Sequence, residues 1–343
     1  MVLERQAGRA PNIRDVAARA GVSHQTVSRV LNNSPQIRES TRNAVLQAIA
    51  EIGFRPNQAA RALGTRRSGL IGVLSSHCEA FYGPQTIVIA MERAAHERGY
   101  RLAVVSAAGL SAPIEEDVGR LLDQGVEAIV VIAPQARTVA AMAAAGSSVP
   151  VIVVDSLRRA GVHNVAADQF RGAWSAVRHL IDLGHREIIH VSGPQNWIEV
   201  DERMQGYLAA MTEAGLEIRP PLLGGLTAES GFALGEQLLR GDAFSAVFAV
   251  NDQVALGLLH AFRAAGVDVP GQISVVGFDD IPDAAHFVPP LTTVRQDFVA
   301  VGRGVMAEAF AAIDGTGARN ALLEPHLIVR GSTAPPPSSV RPG

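Results

Sequence analysis

Apolar and polar positions between residues 12 and 54 recur with a helical period and break into three short helices. Ile13, Val16, Ala17 and Ala20 line one face of the first. Asn12 is placed to cap it, with Asp15 three residues on as the reciprocal partner, and Gly21 ends it. Ser23 opens the second helix, whose inner face is Val27, Val30 and Leu31, and Asn32-Asn33-Ser34-Pro35 breaks it. The third spans roughly 39–52, with Ala44, Val45, Ala48, Ile49 and Ile52 inward and Gly53 as terminator. Helix, tight Gly turn and second helix within about 20 residues is the helix-turn-helix pattern. Residues 57–65, NQAARALGT, form a short Ala-rich stretch whose helix is marginal alone in water.

From Gly69 the period changes. Apolar runs predict strands at 70–76, 101–107, 128–133, 149–155, 187–193, 246–251 and 273–280, with a weak one at 222–226. Helical patterns fall between and after them, at 84–98, 114–124, 138–145, 169–183, 201–214, 229–240, 252–265 and 298–313. This is a doubly wound α/β series, and it is too long for one sheet unit. Its division around Ala166–Asp168 predicts two similar subdomains with a cleft between them. Polar residues stand at the predicted strand ends: Ser76, Asp155, Asn251, Asp252, Asp279 and Asp280.

Composition sharpens this picture in one respect. The net charge is −3. Residues 1–67 hold eleven Arg against four acids (Glu4, Asp15, Glu39, Glu51), a formal +7, so residues 68–343 carry −10. A small basic end before a large acidic remainder implies a polyanion partner for the small end alone. The single cysteine, Cys78, excludes a disulfide framework and a multi-Cys metal site. No apolar run reaches 18 residues, and MVLERQAGRAPN lacks the apolar core of a signal peptide, so the expected location is cytoplasmic.

On the second helix, His24, Gln25 and Arg29 share the outer face, where a helix-turn-helix reads base edges in the major groove. Arg29 suits guanine and Gln25 adenine or another edge. Ser23, Thr26, Asn32, Arg42 and Asn57 are the phosphate candidates. The bland alternative is a solvated helix face.

The segments PNIRDVAARAGVSHQTVSRVLNN and RPNQAARALGTRRSGLIGVL, with VNDQVALG, SVVGFDD and PPLTTVRQDF later, resemble the LacI/GalR family of transcriptional regulators through about residue 334. The resemblance implies a periplasmic-binding-protein-like core of two doubly wound parallel α/β subdomains behind an all-α helix-turn-helix domain. It implies a flexible start (1–11), a headpiece (12–56), a hinge helix (57–67), a core (68–334) and a disordered tail (335–343). Within the core, 68–166 and 294–323 fall to one subdomain, 167–293 and 324–334 to the other. Leu63 is then the minor-groove hinge leucine, an apolar wedge that kinks the duplex. Ile37-Arg38 replaces the family's usual Val-Ser cap before the third helix, so that cap is lost or moved.

By the same resemblance Ser76, Asp155, Arg203, Asn251, Asp279, Gln296 and Phe298 line an effector pocket, with Trp197 and Phe81 as aromatic platforms. Carboxylates and amides bond vicinal hydroxyls, Arg offers a rigid donor fork, and an aromatic covers the apolar sugar face. Asp155 or Asp279 capping a helix, and Trp197 or Phe298 as packing, are the alternatives. Asp252 and Asp280 read as caps. GGLTAESG (224–231) has no aromatic where a galactoside-responsive member has a tryptophan.

The implied function is a sequence-specific repressor controlled by a small sugar-like effector. The alternatives are a sugar-phosphate or purine/nucleoside corepressor, and a sugar-binding transport protein. No catalytic motif is present, no enzyme activity or cofactor is expected, and His77, His163, His179, His185 and His190 have no metal spacing and read as surface or satisfied polar residues. The expected partners are a near-palindromic operator and a second copy of the chain. The tail's four prolines after Thr333 exclude a coiled coil, leaving a dimer.

Overall fold

The computed structural model describes residues 11–31, 34–54, 67–75, 81–106, 114–132, 148–155, 163–195, 197–316 and 320–337. The expected 138–145 helix, nearly all of the hinge helix, and Asn32, Asn57, Leu63 and Ser76 lie outside these residues. So do residues 1–10 and 338–343 of the two expected disordered ends. The chain divides into two units, Met1–Ser68 and Gly69–Gly343.

The first unit carries α1 (Ile13–Ala20), α2 (His24–Leu31) and α3 (Glu39–Ile52). Val16, Val27, Val30 and Val45 are its buried centre. α1 starts where the sequence places it. Asn12 Oδ1 accepts from the Arg14 and Asp15 amides, and Asp15 Oδ2 accepts from the Asn12 amide at 2.7 Å. Gly21 closes it at φ 66°, a left-handed conformation open to glycine without a Cβ penalty. α3 begins at Arg38 with no side-chain cap, as the lost Val-Ser pair implies.

The second unit holds two six-stranded sheets. The first contains β1 (Leu70–Ser75), β2 (Arg101–Ser106), β3 (Ala128–Ile132), β4 (Val151–Val153), β5 (His163–Ala167) and β11 (Asn320–Leu323), in the order β11-β5-β4-β3-β1-β2. The second contains β6 (Ile188–Ser192), β7 (Leu222–Leu223), β8 (Ala246–Ala249), β9 (Ser274–Asp279), β10 (Thr292–Arg295) and β12 (His326–Ile328), in the order β12-β10-β9-β8-β6-β7. Every pairing is parallel except β10 with β12.

Both faces of each sheet are covered, so central strands are apolar throughout rather than alternating. In β3, Ala128, Val130 and Ile132 face α4 (Tyr82–Glu97) and α10 (Phe298–Ile313), while Ile129 and Val131 face α5 (Ile114–Asp123). In β8, Ala246 and Phe248 face α6 (Gln169–Asp182) and α7 (Ile198–Glu213). Val247 and Ala249 face α8 (Ala228–Leu238) and α9 (Asp252–Ala264). α8 and α9 cross closely enough that a Cβ on Gly257 would meet the Ala228 carbonyl oxygen and the Phe232 amide nitrogen.

The chain passes between the sheets at three places. Asp168 follows β5 and caps α6, accepting from the Arg171 amide at 2.9 Å. Asp297 follows β10 and caps α10, accepting from the Ala300 amide at 2.8 Å. Glu324 links β11 to β12, and the Asp168 amide donates to Leu323 O at 2.9 Å, tying two crossings together. Three short crossings, two of them at helix caps, leave a cleft between the sheets.

Candidate functional site

On the first unit, Ser23, His24, Gln25 and Arg29 are exposed, and Thr26 is half-buried. Val27 and Val30 anchor α2 from beneath, which fixes this outward face. Ser23 Oγ accepts from the Thr26 amide at 3.1 Å and shares a 2.9 Å hydroxyl contact with Thr26 Oγ1. Both hydroxyls therefore sit at the start of α2. Arg42 has a structural tie as well, its Nη2 donating to Ser34 O at 3.1 Å across the break between α2 and α3.

On the second unit, the cleft has about 760 Å³ of empty space measured to its open mouth. Its floor is a closed ring of side-chain hydrogen bonds. Arg203 Nε donates to Gln169 Oε1 (2.9 Å), Gln169 Nε2 to Gln296 Oε1 (2.7 Å), Gln296 Nε2 to Asp279 Oδ1 (2.6 Å), and Arg203 Nη2 to Asp279 Oδ1 (3.3 Å). Arg203 Nη1 also donates to Val250 O at 2.6 Å, and its guanidinium stacks 4.0 Å from the Phe278 ring centroid. The ring draws on α6, α7, the end of β9 and the β10–α10 crossing. Asp279 holds its place with φ at 113°, a strained backbone for a non-glycine residue. Burial pushes its carboxyl above the usual carboxylate range against the pull of Arg203 and Gln296.

The walls are aromatic and aliphatic. Phe81 from the first subdomain meets Trp197 from the second edge-on, with centroids 6.1 Å apart and planes at 89°. Phe298 lines the cleft and also enters the first core. Gly83 is required there, because a Cβ would lie 2.8 Å from the Phe298 ring. Leu226 stands in the wall beside Asn251, which donates to Leu226 O at 3.0 Å and caps α9 by accepting from the Val254 amide.

The lacI family description of bacterial regulatory proteins matches residues 12–57, and a periplasmic binding protein-like domain matches residues 177–333. The chain is 36% identical to the transcriptional regulator CelR of Thermobifida fusca, covering 94% of this chain and 98% of that protein. It is 33% identical to the lactose operon repressor of Escherichia coli K12, covering 94% and 90%. The chain belongs to the LacI family. Among solved structures, the lac repressor dimer bound to operator and the anti-inducer ONPF matches with a TM-score of 0.87 at 32% identity, over 95% of this chain and all of that one. A CelR–cellobiose complex matches with a TM-score of 0.71 at 34% identity, over 94% and 99%.

As a LacI-family protein the chain is a DNA-binding transcriptional regulator with a two-subdomain effector-binding core, and its matched relatives are regulators too. Of the sequence-derived pocket set, Trp197, Arg203, Asn251, Asp279, Gln296 and Phe298 converge on one cleft. Asp155 is not among the lining residues, although it follows Val154, which is, and stands close enough to Glu199 to act on its charge. It is 1% exposed and accepts from Asn164 Nδ2 at 2.8 Å, joining the end of β4 to β5.

Gln169 and Glu199 were not anticipated. Glu199 precedes Arg203 by one helical turn on the same face, a signal hidden by starting the helix at 201; α7 starts at Ile198. Asp252 and Asp280 are not caps. Asp252 accepts from the Ile281 amide and the Thr293 hydroxyl, and Asn251 takes the cap position. Asp280 pairs with Arg295 and Arg330, both at 2.6 Å.

Of the histidines read as surface or satisfied polar residues, two are buried: His185 fits the satisfied reading, and His190 fits it in part. His185 is buried against Ser245, Ser274 and Ala334 O. His190 is fully buried, stacked on Phe248, with Nδ1 donating to Phe248 O and Nε2 lacking a partner among the described residues. Burial pushes its pKa down to about 4, which keeps it neutral.

Among the described residues no group of acids, His and Cys could hold a metal ion, and no helix is long and apolar enough to cross a membrane.

Proposed function

We propose that this chain is a cytoplasmic repressor whose grip on its operator is set by a small saccharide in the core cleft. The observation that carries the reading is the hydrogen-bonded ring Arg203–Gln169–Gln296–Asp279 under the Phe81–Trp197 aromatic pair. A fixed set of donors and acceptors suits vicinal hydroxyls, and the aromatic faces suit the C–H face of a pyranose ring. CelR crystallised with cellobiose, and the lac repressor crystallised with ONPF, support the class of ligand.

His24, Gln25 and Arg29 read base edges. Ser23, Thr26 and Arg42 contact phosphates, joined by Asn32 and Asn57, and Leu63 enters the minor groove. The protein works as a homodimer on a near-palindromic site, whose two-fold symmetry it matches. Saccharide binding changes how the subdomains sit and releases the hinge helices, so induction is the expected sign. The ligand shifts this equilibrium only by its difference in affinity between the two states.

A thermal-shift panel of neutral mono- and disaccharides, sugar phosphates and purines tests the reading. A saturable rise in melting temperature with a saccharide supports it, because a ligand that binds only the native state stabilises it. A rise with purines alone refutes it.

A further inference from the structure

The fixed charges of the cleft do not balance. Arg203 is the only basic side chain among the described lining residues, against the acids Glu199 and Asp279. Arg203 is already committed, with Nε on Gln169, Nη1 on Val250 O and Nη2 on Asp279. Glu199 faces the cleft, and among the described residues no hydrogen bond reaches its carboxylate. Burial pushes the Glu199 carboxyl above the usual carboxylate range while nearby Arg203 pulls it back toward the charged form, and Asp279 and Asp155 add negative potential around it; burial leads at neighbouring Glu202 too, with Asp168, Asp155 and Asp201 adding to it.

The helix ends do not offset this. The N-terminus of α7 opens on the cleft through Trp197, and an uncapped helix start is ordinarily an anion site. Here Glu199 and Asp201 occupy its first turn, so the helix's positive end is answered by its own carboxylates. The start of α4 also reaches the cleft, but Pro84 lacks an N–H, and Phe298 packs over Gly83. A phosphate dianion therefore meets the Glu199 carboxylate and, among the described lining residues, no cation beyond the hydrogen-bonded Arg203. A neutral sugar finds in Glu199 two acceptor oxygens for adjacent hydroxyls.

We propose that Glu199 makes the cleft selective for uncharged saccharides and excludes their phosphate esters. The proposal rests on the carbohydrate-effector reading above, and deepens it by naming the ligand's charge and the residue that reads it.

The test uses the full-length protein and matched neutral and 6-phosphorylated forms of glucose, cellobiose and lactose, titrated by calorimetry against wild type and Glu199→Gln. Wild type is expected to bind at least one neutral sugar about tenfold or more tighter than its phosphorylated twin. Glu199→Gln is expected to close most of that gap, by strengthening the phosphorylated twin rather than only weakening the neutral one. Thermal melts of both proteins confirm that the variant folds. A phosphorylated sugar binding wild type as tightly as its neutral twin overturns the proposal, as does an unchanged gap in Glu199→Gln. Silence from every probe removes the carbohydrate reading itself, and this inference with it.

Discussion

Replacing Arg203 by Met keeps the side chain's bulk and removes its charge and donors. Arg203 is 6% exposed, so the loss falls in a nearly dry site. The change strands Gln169 Oε1 and Val250 O, takes one of two donors from Asp279 Oδ1, and takes the cation from Phe278. Breaking a buried ion pair by removing one partner costs about 3–5 kcal/mol. Asp279 keeps its bond from Gln296 and its side chain retains 19% exposure, which places the cost near the lower end, about 3 kcal/mol. At about 2–4 °C per kcal/mol for a unit of this size, the core's transition should fall by about 6–12 °C.

The deficit also has a pH signature. Arg203 is the largest influence holding the Asp279 pKa down against burial, so its loss raises a folded-state pKa that already lies above the unfolded value. A raised carboxyl pKa means the folded state takes up the proton more readily, so stability from this group grows as pH falls toward the unfolded value. The gap between R203M and wild type should narrow from neutral pH to a mildly acidic pH nearer the unfolded carboxylate range. Differential scanning calorimetry reads both effects. A variant melting within about 2 °C of wild type at both pH values would refute the account of Arg203 as a buried strut.

Two further changes test other parts of the molecule. Arg29→Ala should cost about 1–3 kcal/mol in operator binding while leaving non-specific DNA binding nearly unchanged; equal losses in a competition gel-shift would remove its base-reading role. Gly257→Ala should lower the core's melting temperature sharply, because the added methyl meets the backbone of α8 at Ala228 and Phe232; an unchanged melt would show that this crossing is looser than described.

The headpiece and the strand–helix alternation were legible because local physics decides them. Asn12, Asp15 and Gly21 fix α1 through bonds within a few residues, and runs such as AIVVI are apolar because both sheet faces are covered. The missed strands were short or carried polar residues. β5 begins His163-Asn164, whose side chains bond to Glu308 and Asp155, partners that local sequence does not reveal. β10 and β12 are four and three residues long and exist through pairing with each other and with β9.

The site was legible where the family pattern names a residue and opaque where distance in sequence intervenes. Gln169 meets Gln296 across 127 positions. Asp155 sits at a strand end, the usual place for a ligand contact, and its bond from Asn164 is one that local sequence does not reveal. The absence of an aromatic at 224–231 was visible, but the place of Leu226 in the cleft wall along with Trp197 and Phe81 required the fold.

The central claim is that the cleft and the DNA-reading face are coupled through one equilibrium. The most direct measurement is operator affinity of the full-length protein with and without the saccharide that raises its melting temperature. The account predicts that a saturating saccharide weakens operator binding by about 5–150-fold, the usual range of allosteric coupling. A saccharide that saturates the cleft and leaves operator affinity unchanged would contradict it.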